Sequence, residues 1–341
     1  MSSITDVAAR AGVSVATVSR ALRGLPGVAP ATREVVRGAA AELGYVPSPS
    51  AAGLPTGRTG TIGVVVPWLG RWFFTAVVEG AQQVFVEHGY DVLLYEIGGE
   101  ADRRELDTKL LSKRVDALLV MSLPLTAHEV AALGKLHRPV AMVGPAVPGL
   151  SGVRIDDVGA GYAATKHLLD LGHRRIGFLG GDPEDHLGFP VAPNRQLGYE
   201  RALFDAGVVV DPNLAGPAEF SVEGGLAAAA ALLRHADLPT AVVAASDEIA
   251  MGLLYGLRQA GVRIPGEVSV VGVDDHDLSR LFDLTTVAQP VREQGRIAAG
   301  LLVAWALSEQ PPETHVVTVP THLVVRGTTA PPDPRPNDVR T

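Results

Sequence analysis

From Thr61 onward one unit recurs along the chain: a strand-sized apolar run, a glycine-bearing turn and an amphipathic helix. TIGVVVP, YDVLLYEI, DALLVM and PVAMVGP are such runs, and helices fit around Thr75–His88 and Ala101–Ser112. The order helix, glycine, strand returns at LGHRRIGFLGG, LPTAVVAASD and AGVRIPGEVSVVGVDD. Runs that are apolar throughout belong to strands buried on both faces, and such strands alternating with helices build parallel, doubly wound sheets. At roughly 100–200 residues per folding unit, residues 61–327 hold two such lobes. The chain is expected to cross between them near Asp156–Asp157, near Thr285–Gln289 and near Pro312–Thr314. This assigns about 61–156 and 286–312 to an N-lobe, and about 157–285 and 313–327 to a C-lobe. A cleft between them lies at strand carboxyl ends, where such sheets bind ligands.

Residues 1–47 read differently, as a small all-α unit. Thr5 is a candidate N-cap for the helix DVAARAG, which Gly12 stops. Ser14 is a second N-cap, before VATVSRALRG, whose Val18, Ala21 and Leu22 share one side. A third helix, about Ala31 to Leu43, turns Val35, Val36, Ala39 and Leu43 inward. Two short helices joined by a glycine turn form a helix-turn-helix, whose second helix sets its first residues on base edges in the major groove. Val15 and Ala16 would meet thymine methyls, with Thr17, Ser19 and Arg20 near phosphates or bases, and Arg20 can fork onto guanine. Charge points the same way. Residues 1–58 carry six basic and three acidic groups, and the remainder carries 23 basic and 34 acidic, within a net charge of −8. A basic head on an acidic body fits a polyanion partner for the head alone. On the residues alone, a plain three-helix module with a solvated Arg20 stays open.

Other classes fall away. Zero cysteines exclude disulfides, thiolate nucleophiles and iron–sulfur clusters. Apolar runs such as Ile62–Val66 are far short of the ~20 residues of a membrane span, and no secretory signal opens the chain. The expectation is a cytoplasmic, nucleoid-associated protein. Neither a Walker loop nor the glycine fingerprint, metalloprotease or nucleophile-elbow motifs occur, so no catalytic residue and no cofactor are expected. The histidines are scattered, and Asp182, Asp185 and His186 in GGDPEDHLG read as a rim loop and not as a metal site.

The run ITDVAARAGVSVATVSRALRG, followed by VAPATREVVRGAAAELGYVPS, resembles the DNA-binding head of the lactose-repressor/galactose-repressor (LacI/GalR) family of bacterial transcription factors. The body resembles that family's effector domain, itself similar to periplasmic sugar-binding proteins. The resemblance implies a ligand-responsive regulator, usually a repressor, that binds a pseudo-palindromic stretch of double-stranded operator DNA as a dimer. Residues 48–60 then form a hinge whose Leu54 wedges into the minor groove. The hinge departs from the family pattern: Ser48 stands for asparagine, Ala52 for arginine, and Gly53 and Pro55 flank the leucine. Both are poor helix formers. The tail 328–341 is proline-rich and expected to be disordered. It lacks the apolar heptads of tetrameric members, so a homodimer is expected.

Effector positions carry over where the motifs match. After the first strand, WLGRWFF puts Phe73 and Phe74 on contact positions with Trp68 and Trp72 beside them. Arg195 in NRQLGYERAL, Phe220 in AEFSVEGG, Ser246 and Asp247 in SDEIAMG, and Asp274 in VVGVDDHD complete the set, with Asp247 doubling as a candidate N-cap. Facing Arg and Asp suit a polyol, so a sugar or derivative leads and a purine or nucleoside follows. A transport binding protein shares such a body, but Met1–Gly24 argues against it. A cleft arginine supports no core, so replacing Arg195 is expected to weaken effector binding and leave folding intact.

Overall fold

The computed structural model describes residues 2–45, 58–97, 113–181, 188–308 and 313–333. Leu54, most of the hinge, the helix expected over 101–112 and the Asp182–His186 cluster lie outside them.

In the head, α1 (Ile4–Ala11), α2 (Val15–Leu22) and α3 (Pro30–Glu42) close on Val7, Ala8, Val18, Ala21, Val36, Ala39 and Ala40. The N-cap of α1 is Ser3 and not Thr5: Ser3 and Asp6 form a reciprocal capping box, which satisfies two of the orphan N–H groups at the helix start. Thr5 sits exposed in the first turn. Gly12 ends α1 with φ 65, a left-handed conformation that side chains resist. Ser14 caps α2 as expected, accepting from Thr17 N at 3.1 Å. In α3, Val36, Ala39 and Ala40 face inward and Leu43 packs behind them, but Val35 is 55% exposed. The expected inward stripe of α3 stands at Val36, Ala39 and Leu43, with Ala40 taking the inward place expected of Val35.

The body contains two six-stranded sheets. The N-lobe sheet is built from β1 (Thr61–Val66), β2 (Asp91–Glu96), β3 (Ala117–Met121), β4 (Val140–Val143), β5 (Ser151–Arg154) and β11 (Val316–Thr318). Its order is β11-β5-β4-β3-β1-β2, parallel throughout. The C-lobe sheet takes β6 (Ile176–Leu179), β7 (Ala215–Gly216), β8 (Ala241–Ala244), β9 (Ser269–Asp274), β10 (Thr285–Ala288) and β12 (His322–Val324) in the order β12-β10-β9-β8-β6-β7. Only β12 runs antiparallel there, against β10. Strands β3, β4, β8, β9 and β10 are buried at every residue, as sheets covered on both faces require.

Sheet membership shifts two of the three expected crossings. Thr285–Ala288 belongs wholly to the C-lobe sheet, so the return crossing falls at residues 289–290. Val316–Thr318 pairs with Gly152–Arg154 of the N-lobe, which moves the third crossing from Pro312–Thr314 to residues 319–321. An edge strand this short and exposed has no apolar pattern to betray its sheet. The start of the tail is also ordered. Thr328 is fully buried and donates to Val270 O at 2.7 Å, and Ala330 O accepts from His173 Nε2 at 2.8 Å.

Three helix pairs flank the sheets: α4 (Trp72–Glu87) with α10 (Val291–Leu307), α6 (Asp157–Asp170) with α7 (Val191–Asp205), and α8 (Val222–Leu232) with α9 (Asp247–Gln259). A further helix, α5 (Ala127–Gly134), lies between β3 and β4. Each pair meets backbone to backbone through reciprocal glycines. A Cβ on Gly161 would stand 2.0 Å from Arg195 O, and one on Gly198 2.0 Å from Val158 O. Gly80 and Gly295 do the same for α4 and α10, as do Gly225 and Gly252 for α8 and α9.

Candidate functional site

The exposed side of α2 carries the head's candidate base readers. Val15 is 42% exposed, Ala16 and Arg20 are exposed, and Thr17 and Ser19 are half-buried beside them. The hydroxyls of Ser14 and Thr17 are 2.9 Å apart, so Thr17 is tied to the cap. Arg20 donates one N–H to Pro26 O at 2.7 Å, which orients the guanidinium along the turn after α2.

Between the lobes lies a cavity of about 470 Å³, lined by residues that follow the carboxyl ends of strands in both sheets. From the N-lobe come Trp68, Phe73 and Phe74 after β1, Ser122 after β3 and Gly144 after β4. The aromatic group is continuous: Phe73 meets Phe74 edge-on at 5.4 Å, and Trp68 packs on Phe189 at 5.0 Å. From the C-lobe come Arg195, Phe220, Ser246 and Asp274, all expected from the sequence.

The polar floor is a buried relay. Arg195 is 4% exposed and donates to Asp157 Oδ1 at 3.0 Å, to Asp274 Oδ1 at 3.4 Å and to Ala245 O. Gln289 donates to Asp274 Oδ1 at 2.6 Å, and Gln294 donates to Gln289 Oε1 at 2.8 Å. The glycine contacts between α6 and α7 set this up, because they hold the Arg195 backbone one helical turn from Asp157. Burial pushes the Asp157 and Asp274 carboxyls above the ordinary range, with Arg195 pulling the other way. Asp274 has φ 135, a conformation side chains seldom adopt, and such strain concentrates at sites where surroundings enforce it. The arginine is therefore structural as well as cavity-facing, which argues against the expectation that its loss leaves folding intact.

Two expected residues lie elsewhere. Asp247 is fully buried and turned into the C-lobe, where it accepts from Ser279 Oγ at 2.6 Å, Thr286 Oγ1 at 2.7 Å and His276 N at 2.9 Å. The cap of α9 is Ser246, so the carboxylate beside it is free to tie α9 to the loop after β9. Trp72 leaves the cavity wall and bridges to the loop after β9: its indole N–H donates to Asp277 Oδ2 at 3.0 Å and its ring packs on His276 at 4.5 Å.

Trp72 is part of a clasp between the lobes that sequence patterns do not reveal. Arg292, at the start of α10, donates to both Asp277 oxygens at 3.0 and 2.7 Å and to Glu79 at 2.7 Å. Its hydrogen bonds hold the Asp277 carboxyl down at about 2. Arg71 reaches across to Glu219 and to Phe220 O while lying over the Trp68 ring at 4.6 Å. Glu248, in the first turn of α9, lines the cavity near the backbone N–H of Trp72. Burial, with the Asp274 charge nearby, pushes its carboxyl up to about 7. Asp157, Phe189, Glu248, Gln289 and Arg71 carry no motif, and what unites them is position just past a strand end or at the start of a helix, within its first turn, at its cap or one residue before it.

Among the described residues no group of acidic and histidine side chains could hold a metal ion, and no helix is long and apolar enough to cross a membrane.

Comparison with known proteins matches this geometry. Residues 3–48 match the model for bacterial regulatory proteins of the lacI family, and residues 165–329 match the periplasmic binding protein-like domain. The transcriptional repressor PurR of Vibrio atlanticus is 34% identical over 335 residues, covering 96% of this chain and 98% of its own. Catabolite control protein A of Priestia megaterium is 30% identical over 331 residues, covering 96% and 98%. Among solved structures, the complex of the regulator CelR with cellobiose is 34% identical with a TM-score of 0.70, covering 96% of this chain and all (100%) of that one. The lac repressor dimer bound to operator and the anti-inducer ONPF is 27% identical with a TM-score of 0.84, covering 96% and 99%. The chain belongs to the lacI family of bacterial regulatory proteins.

Proposed function

We propose that this regulator represses transcription as a homodimer on a pseudo-palindromic operator, and that a sugar or sugar-like molecule in the interlobe cavity controls it. The observation that carries the reading is the pairing of an exposed helix-turn-helix face with a cavity whose two walls belong to different lobes. A ligand touching both walls favours one lobe angle, and only a difference in affinity between angles can move the equilibrium felt by the head. Support for the ligand class is the chemistry of the walls: aromatic faces on the N-lobe side stack on a sugar ring, and the Arg195–Asp274 relay offers polar atoms to hydroxyls. CelR with bound cellobiose is a relative of the same fold. The aromatic group also suits a nucleobase, which makes a nucleoside the second reading. Effector-contact roles fall to Trp68, Phe73, Phe74, Arg195, Phe220, Ser246 and Asp274, and DNA contacts to Ser14, Val15, Ala16, Thr17, Ser19 and Arg20, with Thr5 beside them and Leu54 in the hinge.

Support for the dimer comes from apolar side chains left on the body surface, Leu281 at 81%, Tyr255 at 54% and Leu278 at 44% exposed, all in the C-lobe. The role needs no catalysis, and DNA as the partner places the work in the cytoplasm, on the nucleoid. Fluorescence anisotropy on operator-bearing and random duplexes tests it. Wild type binds the operator with an affinity that one sugar or nucleoside changes. Arg20→Ala loses roughly 1–3 kcal/mol on the operator and relaxes preference at one base pair per half-site. An equal loss on random DNA would mean Arg20 touches phosphate alone.

A further inference from the structure

The charged groups on the cavity wall are unequal in number. Among the described lining residues, Asp157, Glu219, Glu248 and Asp274 are carboxylates, and Arg71 and Arg195 are the guanidiniums. Both cations already have carboxylate partners. Arg195 divides its donors between Asp157, Asp274 and Ala245 O, and Arg71 between Glu219 and Phe220 O. Glu248 lines the same wall, and no ion pair joins it to either guanidinium among the described residues.

Helix N-termini are the other source of positive potential, and several open toward the cavity. An anion would need their N–H groups. Two of those starts are capped from within the protein: Asp156 accepts Gly159 N at the start of α6, and Ser246 accepts Ile249 N at the start of α9. In the first turn of α7, Pro193 has no N–H to give. The described wall thus carries four carboxyl groups against two guanidiniums, and in a partly enclosed cavity such charges are screened less than at an open surface.

We propose that the cavity selects its effector by charge, taking an uncharged or cationic ligand that presents a hydrogen-bond donor to Glu248 and excluding phosphorylated and carboxylated ones. This rests on the cavity being the effector site. An amino or hydroxyl group facing Glu248 supplies the donor that the wall lacks, whereas a phosphate would place like charges together, which costs several kcal/mol.

Matched probes that differ in one group test it: D-glucose, D-glucosamine and D-glucose 6-phosphate, and adenosine beside AMP, titrated calorimetrically into the full chain at about pH 8, where Glu248 is ionised. The phosphate of each set is expected to bind about tenfold or more weakly than its parent, and glucosamine to bind more tightly than glucose. Glu248→Gln removes the charge at nearly unchanged size, so it should narrow both differences and fold normally by circular dichroism. A phosphate that binds as tightly as its parent, or differences unchanged in Glu248→Gln, would overturn the proposal while leaving the effector reading in place. Failure of every probe, charged or not, to bind or to shift the melting temperature would overturn the sugar-or-nucleoside reading and this proposal with it.

Discussion

Arg195 faces the cavity and at the same time neutralises two buried carboxylates, Asp157 and Asp274. Arg195→Ala therefore leaves like charges with no cation between them. Removing one partner of a buried ion pair costs about 3–5 kcal/mol, so urea denaturation should show a lower midpoint alongside a lost effector response. A variant with unchanged stability and lost response would show the arginine to be a ligand contact alone. Glu248 carries the opposite consequence. Its carboxyl titrates near 7 in the folded chain against an ordinary value of 4.5, so the folded state holds the proton more tightly than the unfolded one. Its effect on stability is absent below about pH 4.5 and grows unfavourable as pH rises through 7. Allowing for partial exposure, wild type should lose on the order of 1–2 kcal/mol relative to Glu248→Gln between pH 5 and pH 8, read as diverging melting temperatures. At this scale the sequence was legible only where a residue type was rare. Aromatics crowded into WLGRWFF and an arginine beside a Gly-aromatic pair stand out, whereas Glu248 and Gln289 are common residues made special by fold position. Asp247 misled because a carboxylate after a strand looks the same whether it faces the ligand or the sheet.

Elements were read more easily than their contacts. Period and apolar runs locate most helices and strands, since burial on both faces leaves a mark along the chain. The docking of one helix on another leaves a fainter mark, because a glycine in a helix reads as weakness until its partner is known. Gly161 shows the difference. A Cβ there would overlap Arg195 O at 2.0 Å, and the atom in the way is backbone. Gly161→Ala should push α7 off α6, draw Arg195 away from Asp157 and cost roughly 1–3 kcal/mol. Gly38→Ala, on the exposed side of α3 with nothing within 4 Å, should instead stabilise the head, by about 0.4–1 kcal/mol through lower unfolded-state entropy. Differential scanning calorimetry on both variants checks the contrast, and a harmless Gly161→Ala would mean the helices can separate without disturbing the relay.

The whole molecule turns on three thin connections, at residues 155–156, 289–290 and 319–321, between sheets that are each internally rigid. Motion between lobes is then cheap relative to motion within them, and whatever bridges the lobes sets the resting angle. Here the cavity lining and the clasp both draw on the two lobes. The clasp is half-exposed, with Arg292 and Asp277 side chains at 43% and 52%, so each ion pair contributes at most about 1 kcal/mol to stability. Its importance is for the angle. Asp277→Asn removes the charge that Arg292 grips with two N–H groups, and should shift the chain toward open lobes with little change in melting temperature. On the proposed reading effector and operator act through one lobe equilibrium, and the factor by which the effector changes operator affinity then equals the factor by which operator changes effector affinity. Asp277→Asn should alter apparent effector affinity, and should alter operator affinity without effector in the sense that the open angle dictates. Titrating effector with and without operator, in wild type and variant, closes the cycle. If effector affinity moved while operator affinity stayed fixed, the clasp would gate entry to the cavity and take no part in the coupling to the head.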